Sequence, residues 1–214
     1  MRLRHARHHI ELHQLSDAAG PALLFLHALF GRAADAEPLA ALWSGPVYAL
    51  DFPGHGQSDW LPGGAYYPEY FAASADIALE HIGGAALIGA GLGAYVALLL
   101  AGTCPDRIPS TLLLPGEGLA GAGGDPDPRR SPPCLDELLR AAKPSKGTYP
   151  FVATIDLAVR PPEYAQTFAA GARRLLLAED GSARPPWWNA LRTGATTHSV
   201  SVDLSEALAQ LAKP

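Results

Sequence analysis

Residues 85–102 read AALIGAGLGAYVALLLAG, and the rest of the chain is organised around them. An apolar run over 85–88 meets a glycine-rich turn, Gly89-Ala90-Gly91-Leu92-Gly93, and a second apolar run follows over 94–101. The first run suits a strand buried on both faces, and the second suits a buried helix. The pattern is a sharp strand-to-helix turn. Gly89-x-Gly91-x-Gly93 bears a surface likeness to a dinucleotide fingerprint. The third glycine of G-x-G-x-x-G would fall on Ala94, so that pattern is incomplete and no cofactor is expected.

Outward from this turn, short apolar runs alternate with helical patterns. Residues 2–15 alternate as a strand or a pair of short strands, with Ile10 and Leu12 facing in and His9, Glu11 and His13 facing out. His9-x-Glu11-x-His13 puts metal-ligand residue types on one strand face. A solvated edge strand is the expectation there, with no metal. Residues 22–26 (ALLFL) and 47–50 read as buried strands, and 38–43 and 68–82 as helices that open on proline. Further strands are expected at 111–114 and 173–177, and helices at 135–142, 151–157, 161–170, 185–191 and 204–211. Residues 115–133 are crowded with glycine, proline and charge, as in a loop that carries a lid or insertion. The alternation implies an α/β protein, a mostly parallel twisted sheet with helices on both faces. One domain over 1–214 accounts for the length.

Composition narrows the function classes. Hydrophobic residues make up 48% of the 214 and charged residues 17%, the balance of a packed globular chain. The net charge of −5 argues against nucleic acid as a partner. The first residues lack the apolar core of a secretory signal, and the run 94–101 is too short to cross a bilayer, so no membrane association is expected. A cytoplasmic location follows as the default, with Cys104 and Cys134 as reduced thiols.

Three stretches together resemble the α/β-hydrolase family. Leu26-His27-Ala28-Leu29-Phe30-Gly31 is similar to the oxyanion-loop pattern L-H-G-x-x-G, with Ala28 where the family prefers glycine. Asp51-Phe52-Pro53-Gly54-His55-Gly56-Gln57-Ser58-Asp59 matches D-x-P-G-H-G-x-S-D, the most specific of the three. The third is the turn at Gly91, similar to the nucleophile elbow G-x-S-x-G but with glycine where serine should stand. The likeness is strong over 22–114 and extends to 173–212. Over 115–172, where the family places a helical cap, the chain has room for only a reduced cap or lid.

The resemblance assigns site residues. Gly91 stands at a degenerate nucleophile position, and the backbone amides of Leu29 and Leu92 would form the oxyanion hole, beside His27. Trp187 is a candidate for the pocket lining, with one of Trp187 and Trp188 expected in the core and one half exposed. The stretch from His198 to Glu206 is similar to the family's H-F-x-x-x-[DE]-x-P-E, which makes His198 the base position. The motif reading is preferred over the alternative that residues 196–202 are the last strand, which would leave His198 on the sheet. Asp180 resembles the acid position, with Glu179 as a register alternative and Glu117 as an alternative acid after the strand at 111–114.

These residues leave three functions open. One is a non-catalytic homologue that binds a small apolar or carbonyl-containing ligand. The second is an enzyme of non-standard mechanism, in which the oxyanion amides polarise a carbonyl and a His198/Asp180 pair moves a proton. The third is an interaction partner, with a homodimer as one form. If His198 and Asp180 stand where the motif puts them, Gly91→Ser is expected to give weak esterase activity.

Overall fold

The computed structural model describes residues 1–60, 66–119, 155 and 158–213. Most of the expected cap, including the helices at 135–142 and 151–157 and the second cysteine Cys134, lies outside these residues.

Eight strands form one sheet in the order β1-β2-β4-β3-β5-β6-β7-β8. They are β1 (Arg2–His5), β2 (His8–Ser16), β3 (Leu23–Leu26), β4 (Val47–Asp51), β5 (Ala86–Ala90), β6 (Thr111–Leu114), β7 (Leu175–Glu179) and β8 (Thr197–Ser201). The first two pair antiparallel with their neighbours, and every later pairing is parallel. β1 takes the outer edge, so β2 is an interior strand rather than the expected edge. Among the described residues six α-helices connect the strands: α1 (Glu37–Leu42), α2 (Pro68–Ile82), α3 (Leu92–Thr103), α4 (Pro162–Gly171), α5 (Pro186–Leu191) and α6 (Leu204–Leu211). α2, α4 and α5 begin on proline, whose fixed φ and missing N–H suit the first helical position. No described helix is long and apolar enough to cross a membrane.

The unbroken apolar runs have a simple cause: both faces of the central strands are covered. Leu24, Leu26, Leu87, Leu113, Leu175 and Leu177 pack with residues of α2, α3, α4 and α5. Leu23, Phe25, Ala49, Ile88, Leu112 and Leu176 face the other way, against α1 and α6. α3 is buried on every side from Leu92 to Ala101, as its all-apolar composition demands.

The Asp51–Asp59 motif turns out to be a staple for the loop after β4. The buried Asp51 carboxylate accepts the Ala33 amide (2.7 Å) and the Gln57 amide (2.9 Å), and His13 Nε2 donates to it (3.0 Å). A side chain at Gly56 would overlap that carboxylate. Ser58 Oγ donates to the Asp51 carbonyl and accepts the Glu11 amide, while Asp59 accepts from the His9 amide and from Arg2. His9, Glu11 and His13 are thus spent on three different partners, Glu11 pairing with the N-terminal ammonium. Among the described residues no group of three or more His, Cys, Asp or Glu is placed to hold a metal ion.

Candidate active site

β5 ends at Ala90, and the chain turns at Gly91 directly into α3. Gly91 has φ +51° and ψ −114°, a backbone conformation that costs an ordinary residue on the order of 1–3 kcal/mol and glycine little. The glycines on either side serve close approach. A Cβ on Gly89 would lie 2.1 Å from the Gly93 carbonyl oxygen, and one on Gly93 would lie 2.0 Å from that of Leu26. The elbow geometry expected from the sequence is therefore present, without a nucleophile at its apex.

Facing this apex are two amides, Leu92 N at the start of α3 and Leu29 N in the loop after β3. Both donate to one oxygen, the backbone carbonyl of Glu117, at 2.9 and 3.0 Å. A helix leaves its first amides without intrahelical partners, and this carbonyl satisfies one of them. Gly91 N donates to Leu114 O at 3.1 Å, tying the apex to the end of β6. The chain leaving β6 then fills the space where a nucleophile's side chain would stand. A Cβ on Gly91 would lie 2.1 Å from Glu117 O and 2.6 Å from the Gly116 carbonyl carbon. Glu117 thus meets this point through its backbone carbonyl, while its side chain is exposed.

His27 and His55 hold the loops around this point. His27 Nε2 accepts the Phe52 amide (3.0 Å), so its proton is on Nδ1, which donates to Ala28 O (2.7 Å). His55 repeats the arrangement, accepting the Phe30 amide (3.2 Å) and donating from Nδ1 to Pro53 O (3.2 Å). The rings lie 4.8 Å apart. Burial pushes His27 below its ordinary pKa and His55 well below. His27 is accordingly a buried ring that ties the loop after β3 to the one after β4.

His198 lies within β8, in register with Leu176, so the strand reading of 196–202 holds and the loop position implied by the motif does not. Register through Leu176 and Leu112 puts His198 level with Ile88. It is then three strands from Gly91, roughly 14 Å across and about 10 Å back along the strands. Its face is that of Leu176, toward α6, where it lines a groove of ≈ 350 Å³ with Arg174, Glu206 and Gln210.

Asp180 does stand just beyond β7, at the strand end where the resemblance put it. Its carboxylate accepts the Ser182 amide (2.9 Å) and Arg184 Nη2 (2.6 Å), and these contacts hold it below the ordinary carboxylate range. It is about 13 Å from the level of His198 along the strands, so the two form no pair. Glu179 is held low by Arg192 and also accepts from Trp188 Nε1 (3.2 Å). Trp187 and Trp188 are both buried, contrary to the half-exposed expectation for one of them. Trp187 packs edge-on against Tyr95 (4.9 Å) and donates Nε1–H to Leu119 O (3.4 Å).

Gly116, Gly118 and Leu119 were not legible as site residues. The one signal was the spacing Pro115-Gly116-Glu117-Gly118 straight after a buried strand, which composition alone assigns to a loop.

Comparison with known proteins agrees with the fold. A hydrolase from Pseudomonas aeruginosa PA01 superposes with a TM-score of 0.69 at 17% identity, over 95% of this chain and 89% of that one. The enol-lactonase from Burkholderia xenovorans LB400 gives 0.69 at 18% identity, over 97% and 93%. E-2-(acetamidomethylene)succinate hydrolase gives 0.67 at 17% identity, over 99% and 94%. No curated protein matches the chain. The profile of the alpha/beta hydrolase family matches residues 23–212, which takes in every strand of the sheet except β1 and β2, and the chain belongs to that family.

Proposed function

We propose that this protein is a non-hydrolytic member of the family, one that acts by binding a small carbonyl-containing or carboxylate ligand rather than by turning over an ester. The observation that carries this reading is the Glu117 carbonyl seated on the Leu29 and Leu92 amides beneath a side-chain-free Gly91. Acyl transfer in this fold needs a nucleophile within hydrogen-bond reach of a base. Gly91 offers no nucleophile, and His198 and Asp180 stand too far apart to supply a base with its orienting acid.

The test is hydrolysis of a short chromogenic ester, a thioester and a lactone by the purified protein, with fluorophosphonate labelling in parallel. Heat-denatured protein and His198→Ala serve as controls. The expected outcome is no turnover above the denatured control and no covalent label. Saturable turnover by the folded protein, with or without loss in His198→Ala, would overturn the reading.

A further inference from the structure

We infer that Gly116-Glu117-Gly118 is a backbone latch. The protein's own chain occupies the oxyanion amides, and a ligand oxygen gains them only when this turn withdraws. The inference rests on the binding reading above and adds how that site is controlled.

The fit of the turn is close on every side. A Cβ on Gly116 would lie 2.9 Å from Gly91 N and 3.3 Å from Ala28 Cβ. One on Gly118 would lie 2.8 Å from Leu92 Cβ and 2.9 Å from Leu29 Cβ. Only glycine at both places lets the Glu117 carbonyl reach the two amides. The turn is also held under strain. Gly118 takes its φ of +102° without cost, but Leu119 after it has φ +50°, a region that a bulky residue rarely adopts. Phe30, beside Leu29 in the facing loop, has φ +64° and is half exposed. Of the three non-glycine residues with positive φ among those described, two therefore flank this contact.

Energetics favour an exchange rather than a permanent seal. An incoming carbonyl or carboxylate oxygen remakes the two hydrogen bonds that the Glu117 carbonyl gives up, so their net change is small. Withdrawal relieves the backbone at Leu119. Among the described residues, what opposes it is the buried packing of Leu119 and the bond from Trp187 Nε1 to its carbonyl. Those two contacts are the catch of the latch.

The experiment is amide hydrogen exchange at Leu29 and Leu92 in the ¹⁵N-labelled full chain, with benzoate titrated as the probe. In the wild type both amides are expected to exchange slowly and to move little with benzoate. In Gly118→Ala their protection is expected to fall by about tenfold or more, and both resonances to shift saturably with benzoate. A folded Gly118→Ala that keeps both amides protected, or loses protection without a benzoate shift, overturns the latch. If Gly118→Ala does not fold, Trp187→Phe removes the hydrogen-bonding half of the catch while keeping an aromatic ring. With that hydrogen bond gone and the packing of Leu119 kept, it is expected to bind benzoate more tightly than the wild type, and equal binding overturns the latch. Ester turnover by the wild type would defeat the non-hydrolytic reading alone, because the exchange data decide the latch independently.

Discussion

At the scale of single residues, Gly91 carries the most consequence. From the motif alone, returning a serine there is expected to revive weak esterase activity. The structure reverses that expectation, because the space for a side chain is filled by the Glu117 carbonyl at 2.1 Å from an added Cβ. Overpacking of this kind costs about 1–3 kcal/mol. Gly91→Ala and Gly91→Ser should both lower the urea midpoint by that order, and Gly91→Ser should take no fluorophosphonate label. An unchanged midpoint, or a labelled serine, would show that the turn does not sit where the structure puts it. His198→Ala, on an exposed strand, should leave stability within about 0.5 kcal/mol.

At the scale of elements, two loops shape the site, and a neutral histidine pair fixes both. His27 accepts the Phe52 amide and His55 the Phe30 amide, so a proton on either Nε2 would set two donors against each other. Burial keeps both folded pKa values below the ordinary 6.5. The unfolded chain takes up protons below about pH 6.5, whereas the folded one resists until a lower pH. The stability these rings lend is therefore complete above that pH and is lost as pH falls toward the folded values. Urea midpoints measured from about pH 7.5 down to 5 should decline below 6.5. His55→Gln, which still offers an acceptor to Phe30 and does not titrate, should flatten part of the decline. A decline equally steep in that variant would remove His55 from the account.

The whole molecule is a sheet sealed at its centre and open at its last edge. All four residues of β3 are buried, whereas β8 is exposed or half exposed throughout. Local opening follows burial, so amides of β3, β5 and β6 should exchange only by global unfolding and those of β8 well before. Hydrogen exchange read by mass spectrometry checks this, and uniform protection across the sheet would contradict it. The same gradient explains how His198 was misplaced by the motif. A short, polar, half-exposed run looks alike as an edge strand and as a loop.

The layered sheet, the family and the absence of a serine at the elbow are legible in the residues alone. Those follow from runs such as ALLFL, from the Asp51–Asp59 motif and from a single glycine, all local features whose physics does not depend on distant residues. Even the role of Asp51 was half legible, since the motif announced a constrained loop without saying that Ala33, Gln57 and His13 meet on one carboxylate. It takes the folded chain to show that His198 and Asp180 stand apart, and that the Glu117 carbonyl occupies the Leu29 and Leu92 amides. The first depends on strand register, which slides without any change in composition. The second is made by backbone atoms, which every residue carries, so no side-chain pattern records it.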